Sequence, residues 1–513
     1  MPDIVITEEG VLKMLKNLNP HKAVGPDEIS PWVLKNTANE IVGALTILFQ
    51  LTLDTGIIPE DWLRANITPI YKKGDKTQPS NYRSVNLTSV CSKLMEHILQ
   101  SNIMAHLDAH SILSDQQHGF RKQHSCETQL LTAINDLAVD LDNRQQVDLV
   151  IMDFQKAFDK VPHKRLLLKL RRYGIRGKIL NWIEGFLTHR KQRVVIEGEH
   201  SMWVNVDSSV PQGTVLGPLL FLLFINDLPE GVESTCRLFA DDCILYSKVS
   251  GPEDANRLQK DLDKLSAWQD KWQLGFNAQK CHVMHIAHNR KPFLQQYKLN
   301  GVILEEKKSH TYLGVDICKD LTWNTHVDRI CSKANRTLGF LRRNLHDCPT
   351  HIKDMSYKTL VRPILDYCSS VWDPYTQTLI KQVEAVQNRA ARFVTGNYSK
   401  RSSVTEMKCK LSWEPLELRR KVDRLTNFHE AIAGRLAIPV RSALRPAGRD
   451  LRRTSKINNY IPIAANKNCY KYSFTPRTIP EWNKLPNSIT SIQDKTVFKT
   501  AAHNHLIKQS KQN

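Results

Sequence analysis

The sequence predicts an α+β fold with a mainly helical region behind it, on three observations. Helical and extended segments interleave through the first part of the chain, helices take over from Asn324, and no internal repeat or low-complexity tract interrupts that order. At 513 residues with 41% hydrophobic content, the chain is long enough for two to four packed domains and a substantial core.

Taken in order, residues 7–18 read as a capped helix, with Thr7 before Glu8 and Glu9 and with apolar Val11, Leu12, Met14 and Leu15. A turn-like stretch, His21-Lys-Ala-Val-Gly-Pro-Asp27, leads to helices near 31–36 and 41–53. Residues 67–71 and 85–87 read as strands of a hairpin whose tip, Lys72-Lys-Gly-Asp-Lys76, is cationic. Helices are expected at 92–107 and 126–141, then a β-prone run, 147–152, that ends on Asp153. Gly174 stops a helix over 164–173, and Ile179, Trp182, Ile183, Phe186 and Leu187 repeat at the spacing of another. Strands are expected at 193–197 and on both sides of Asp241-Asp242. The run 219–225 is purely apolar, but its seven residues fall well short of the roughly 20 that span a bilayer, so it reads as a buried helix. After Lys280 the signals weaken, until helices return at 324–344, 352–365 and 379–395; the rest mixes short helices with Pro-containing loops.

The formal charge is +20 and the pI about 9.4, which points to a polyanion partner, because Lys and Arg gain affinity by displacing counterions from phosphates. Residues 401–513 hold 22 Lys/Arg against 8 Asp/Glu, a net of +14, so this tail reads as a nucleic-acid contact region or else as a solvated basic extension. Eleven Cys at irregular spacing, without a C-x-x-C, and a first stretch without a basic-then-apolar pattern give no sign of secretion.

Two carboxylates sit side by side in Arg237-Leu-Phe-Ala-Asp-Asp-Cys-Ile-Leu-Tyr246, between two strand-like halves. An Asp-Asp pair alone is commonly an ordinary turn. At the tip of a hairpin, however, adjacent like charges are costly unless something neutralises them, and their oxygens suit hard cations. Asp153 ends a strand that would lie beside this hairpin. Three convergent carboxylates can hold two Mg²⁺ ions about 3.5 to 4 Å apart, which is a phosphoryl-transfer arrangement.

Asp153-Phe-Gln-Lys-Ala-Phe-Asp159 with Val161-Pro-His163, then Pro211-Gln-Gly-Thr-Val-Leu-Gly-Pro218 and Phe239-Ala-Asp-Asp242, resemble reverse transcriptase motifs A, B and C in order and spacing. Upstream signatures of that family are matched by His21-Lys-Ala-Val-Gly-Pro-Asp27, Asn81-Tyr-Arg-Ser-Val-Asn-Leu87 and His118-Gly-Phe-Arg121. The long block 211–221 and Ile225-Asn-Asp-Leu-Pro229 resemble non-LTR (LINE-like) retrotransposon enzymes of the Jockey or CR1 type rather than retroviral ones. The resemblance continues through Tyr312-Leu-Gly-Val315, Tyr367-Cys-Ser-Ser-Val-Trp372 and Ile479-Pro-Glu-Trp-Asn483, and so covers nearly the whole chain.

The resemblance implies a right-hand polymerase: an N-terminal extension and fingers over 1–145, a palm over 146–300, a palm–thumb connection and helical thumb over 301–400, and a basic C-terminal region over 401–513. It implies an RNA-directed DNA polymerase that uses two Mg²⁺, with Mn²⁺ as a substitute, and takes template RNA, primer or target DNA, and dNTPs. Asp153, Asp241 and Asp242 would be the metal ligands. Phe158 would be the aromatic gate against a ribose 2′-hydroxyl, with core packing as its plainer role. Gln212 and Gly213 would lie under the incoming base and template, where Gly allows close backbone approach. Lys72 and Arg83 would clasp the triphosphate, with Lys73 a neighbour able to take the Lys72 part. The segment Trp272-Gln-Leu-Gly-Phe-Asn-Ala-Gln-Lys-Cys281 resembles motif D, whose Lys, here Lys280, would protonate the leaving pyrophosphate.

The chain departs from the family at Ser84, where Pro commonly follows the Arg; loss of that fixed φ would loosen the hairpin without removing Arg83. Cys281, His282, His285 and His288 look like metal ligands, but the family places ordinary structure there. The chain opens at the first polymerase motif, so it is expected to lack the endonuclease of the complete element and not to nick a target alone. A competing reading of the tail has Trp482 and its apolar neighbours packed on the thumb. Group II intron-type or telomerase-like enzymes do not usually carry the 367–372 and 479–483 blocks. A copy that binds nucleic acid without polymerising is opposed by the intact Asp153, Asp241, Asp242, Gln212 and Gly213. Nuclear and cytoplasmic location is expected from the family alone.

Overall fold

Val147-Asp-Leu-Val-Ile-Met152 has one polar residue in six, the pattern of a strand covered on both faces. In the computed structural model, which describes residues 1–288, 291–446 and 459–512, all six are buried. Two main sheets are built from β1 (Arg64–Tyr71), β2 (Tyr82–Leu87), β3 (Val147–Met152), β4 (Lys191–Ile196), β5 (Glu199–His200), β6 (Val204–Asn205), β7 (Thr235–Phe239), β8 (Asp242–Lys248) and β9 (His282–Ile286). The central sheet runs from the short strand Glu305–Glu306 through β9, β3 and β8 to β7. The other is ordered β2, β1, β4, with β5 and β6 both paired to β4.

The period of two along β3 divides two helical layers. Val150 and Met152 join one core with the helices Val90–Ala109, Leu216–Ile225 and Pro252–Trp272, while Val147, Leu149 and Ile151 join a second core. That second core takes in the helices Cys126–Asp142, Asn324–Asn344, Gln377–Thr395, Leu416–Ile432 and Lys495–Gln512. Asp148, the polar exception, is fully satisfied: it accepts from Gln146 Nε2 at 2.8 Å and Tyr297 OH at 2.6 Å, and meets His285 Nδ1 at 2.9 Å. The mixed helix-and-sheet class expected from the sequence is the one observed.

Several elements match expectation closely. Thr7 caps the helix Glu8–Lys16 by accepting from Gly10 N, and β1 and β2 pair antiparallel with the 72–76 tip between them. Ser84 stands opposite Pro69 within an unbroken ladder. Others differ. The helix Pro252–Trp272 was not foreseen, and the stretch after Lys280 contains β9, a fully buried strand paired to β3. The apolar helix begins at Leu216, so Pro218 lies inside its first turn, where its missing N–H costs no helical bond. The helix expected over 352–365 carries a π-helical turn at Tyr357–Val361.

The C-terminal region is more regular than expected, with two long helices, Leu416–Ile432 and Lys495–Gln512, packed on each other. Trp482 is 2% exposed and sits between Phe428 and Phe498, inside the second core. Residues 447–458 and Asn513, part of the basic tail, lie outside the described residues. Among the described residues no helix is long and apolar enough to cross a membrane.

Candidate active site

The ends of β3 and of the β7–β8 hairpin meet on one side of the central sheet. β3 pairs with β8 so that Met152 faces Cys243; continued by one residue, the register sets Asp153 opposite Asp242, where antiparallel Cα atoms stand about 5 Å apart. Phe239 pairs with Asp242, which leaves Ala240-Asp241 as a two-residue turn, with Ala240 at φ +52°. That left-handed value is uncommon for an L residue. It bends the chain tightly enough to bring Asp241 into a cleft of 1580 Å³ that Asp153 also lines.

The cleft gathers the residues singled out from the sequence. Asp153, Asp241, Phe158, Gln212, Gly213, Lys72, Arg83 and Lys280 all line it, whereas Asp242, next in the chain to Asp241, does not. Lys72 lines it but Lys73 does not. The hairpin register explains the cationic wall: Ile70 faces Arg83, and Lys72 N donates to Asn81 O at 2.9 Å, so Lys72 leaves the ladder just beyond Arg83. Both side chains are exposed, and no ion pair among the described residues involves either.

Electrostatics set the carboxylates against burial and against one another. Burial raises the Asp241 carboxyl above the usual range, and Asp153 adds to this against the pull of Lys72 and Arg83. Asp242 is raised to about 6, first by burial and then by Asp241 and Asp153. Asp242 is itself solvent-exposed, so this burial is crowding by protein around an open edge. The donor set is all carboxylate, which suits a hard divalent cation such as Mg²⁺. The mutual repulsion is the kind a cation relieves. Among the described residues no three acidic, His or Cys side chains are drawn together tightly enough to form a finished cage; Asp153 Oδ2 instead meets Lys280 Nζ at 3.4 Å.

Lys280 reaches Asp153 because the chain after Trp272 wraps the end of β3. Asn277 N donates to Asp153 O at 2.7 Å, Gln155 N donates to Gly275 O at 2.8 Å, and Phe276 stacks on Phe154. Phe158 is half-buried and stacks on Phe221, with ring centroids 4.5 Å apart, so one face packs while the residue still lines the cleft. The neighbouring His residues do not converge. His282 faces Glu305, His285 meets Asp148, and His288 lies near Cys469.

The Gln212-Gly213 turn is held by residues that the sequence reading did not single out. Asn86 N and Nδ2 both donate to Gln212 O, at 2.8 and 3.0 Å, and a Cβ on Gly213 would fall 2.5 Å from Asn86 O. Gly213, at φ +107°, is therefore required by both backbone angle and space. Below it, the fully buried Glu96 accepts from Val215 N at 2.7 Å and Leu216 N at 3.0 Å, which supplies the cap that the helix Leu216–Ile225 lacks. A signal existed: Glu96 lies three residues before Leu99 and seven before Ile103, on the apolar face of its helix.

Known proteins resemble the chain over a span that includes these strands. Residues 70–317 match the sequence model of the family described as reverse transcriptase (RNA-dependent DNA polymerase). The chain is 28% identical to the probable RNA-directed DNA polymerase from transposon BS of Drosophila melanogaster, over 87% of its own length and 51% of that protein. It is 26% identical to the RNA-directed DNA polymerase from mobile element jockey of the same fly, over 87% of its length and 50% of the relative. To the probable RNA-directed DNA polymerase from transposon X-element it is again 26% identical, over 75% of its length and 43% of the relative. The chain spans about half the length of the curated relatives it matches first. With the motif-bearing strands inside the matched span and the similarity reaching far beyond it, the chain carries a reverse transcriptase domain over residues 70–317 and is similar over most of its length to the RNA-directed DNA polymerases from transposon BS, mobile element jockey and transposon X-element.

Proposed function

We propose that the protein is an RNA-directed DNA polymerase that joins deoxynucleotides to a primer 3′ hydroxyl by two-metal phosphoryl transfer. The observation that carries this reading is a single cleft lined both by carboxylates at the ends of paired strands and by Lys72 and Arg83, which make no ion pair among the described residues. In this reading residues 1–145 form the N-terminal extension and fingers, 146–300 the palm, 301–400 the connection and thumb, and 401–513 a basic region.

Asp153, Asp241 and Asp242 would hold two Mg²⁺, or Mn²⁺ in their place, which when bound activate the attacking hydroxyl and neutralise the leaving pyrophosphate. Arg83 offers a planar fork and Lys72 a point charge to the triphosphate. Gln212 and Gly213 give the nascent base pair a flat backbone surface. Phe158, stiffened by its stack on Phe221, fills the space that a 2′-hydroxyl would need. Lys280 starts against Asp153 and is within reach to release a proton to the departing pyrophosphate. In the complete element the substrates would be element RNA as template and a nicked chromosomal 3′ end as primer, with an endonuclease supplied by the longer protein and action in the nucleus after assembly in the cytoplasm.

Primer extension on poly(rA) with an oligo(dT) primer, dTTP and Mg²⁺ tests the reading. DNA synthesis that stops on chelation is the expected result; a folded protein that binds the primer–template and incorporates nothing would contradict it.

A further inference from the structure

We infer that Gln117 is a positioning residue for the catalytic turn, holding Asp241 and Asp242 in place through the backbone of Ala240. The inference deepens the proposed function and rests on its assignment of those carboxylates.

The segment before His118-Gly-Phe-Arg121 runs beside β7 as an added strand. Leu238 N donates to Gln116 O and His118 N donates to Leu238 O, both at 2.8 Å, with Gln117 bridged in parallel to Leu238. This lays the Gln117 side chain along the turn. Its Oε1 accepts from Ala240 N at 2.9 Å and from Gly119 N at 2.7 Å. Gln117 is 2% exposed, so these bonds form without competition from water. Its Nε2, buried, has no hydrogen-bond partner among the described residues, which leaves the oxygen as the end of the side chain that acts.

Two further features fit a brace. Ala240 occupies the left-handed region, and such a conformation persists only where the surroundings enforce it. A Cβ on Gly119 would fall 2.4 Å from Ala240 N, so the segment approaches the turn as closely as a backbone can. On its two flanks the turn is held by the β7–β8 ladder. Since Mg²⁺ demands near-ideal geometry from its ligands, a small rotation of this turn should weaken ion loading before it affects anything else.

The test compares Gln117→Met, which keeps the length and removes the acceptor, with Gln117→Glu, which keeps an acceptor oxygen and, held neutral by burial and the neighbouring carboxylates, puts a hydroxyl where the nitrogen stood. In primer extension at neutral pH, the Met variant is expected to lower kcat by about tenfold and to raise the half-saturating Mg²⁺ concentration several-fold, because two buried donors lose their acceptor. The KM for dTTP and primer–template Kd should stay near parental, Tm should fall by only about a few degrees because two unpaired donors weigh little in a large chain, and the Glu variant should keep kcat within about threefold. A merely structural role would move Kd and KM together with kcat. Parental kcat and Mg²⁺ dependence in the Met variant would overturn the inference, and so would a Glu variant as impaired as Met. If the Met variant fails to fold, a folded Glu variant decides: parental Mg²⁺ half-saturation supports the brace and a several-fold rise overturns it. Asp241→Asn is assayed alongside. Polymerisation by that variant would sink the catalytic assignment itself, whereas its loss beside a parental Gln117→Met would sink only the brace.

Discussion

The cleft and the C-terminal region are both rich in cations, yet they use them in opposite ways. In the cleft, Lys72 and Arg83 are exposed and make no ion pair among the described residues. Beyond residue 400, Arg420 and Arg424 are each about 1% exposed and grip Asp373, which also pairs with Arg477; Arg424 binds Glu481 as well. Lys408, Arg419, Arg435 and Lys499 are paired with Glu384, Asp366, Glu430 and Asp423. Seven of the tail's 22 cations thus serve the protein's own acids. Net charge shows where cations accumulate, but only pairing and burial tell which of them remain available to phosphate.

The carboxylates differ in the same sense. Asp241 is raised by burial and by Asp153, and Asp242 by burial and then by Asp241 and Asp153. Burial alone would raise Asp373 too, but Arg424, Arg477 and Arg420 more than offset it and hold it below the usual range.

The largest expected effect breaks the comparison on the tail side. Asp373→Ala strips the shared partner from three arginines, two of them fully buried, and should cost about 3 to 5 kcal/mol, read as a clear fall in the thermal midpoint. A parental midpoint would mean that these pairs do not hold the region together. On the cleft side, Arg83→Ala should leave the midpoint unchanged and raise the KM for dNTP by about tenfold or more, the loss of a charge-assisted contact; the opposite pattern would make Arg83 structural.

Acidification sharpens the contrast. Asp242 has a raised folded pKa near 6, so lowering the pH from 7 to 5 protonates it, an event that favours the folded state while removing a proposed metal ligand. Asp373 has a depressed folded pKa, so its stabilising contribution is fully present above the usual carboxylate value and is lost only as pH falls through the folded one. Extension should therefore fall between pH 7 and 5 while the contribution of the Asp373 cluster to stability is retained, and added Mg²⁺ should shift the loss to lower pH by competing with protons. Equal loss of activity and of Asp373-dependent stability across that range would contradict this.

The smallest effect concerns tail cations that remain exposed. Lys484 and Lys495 make no ion pair among the described residues, and replacing both with Gln should reduce the slope of log K against log salt for template RNA by roughly 0.7 per lost single-strand contact. An unchanged slope would mark their charge as merely solvated.

Much of this architecture was legible in the sequence because local pattern dictated it. A strand such as Val147–Met152, with a single polar residue, has few alternatives, and Asp153 and Asp241-Asp242 stood out at strand ends. The helix Pro252–Trp272 escaped notice although Ala255, Leu258, Leu262 and Leu265 keep helical spacing, since their narrow stripe is crowded by charged neighbours. β9 was obscured by its two histidines, which read as polar until Asp148 on the adjacent strand is there to receive His285. Asn86, Glu96 and Gln117 share that limitation: each acts on backbone more than a hundred residues away, and no local pattern announces such a partner. In the tail, the sign of the charge was plain, but the acids that neutralise part of it come from segments distant in sequence.

The most direct test of the central claim measures two quantities on Asp153→Asn and Asp241→Asn: primer extension with Mg²⁺ and affinity for template RNA. Loss of one carboxylate should abolish extension, while RNA affinity and its salt slope stay near parental because the phosphate contacts lie elsewhere. Polymerisation retained by either folded variant would contradict the account.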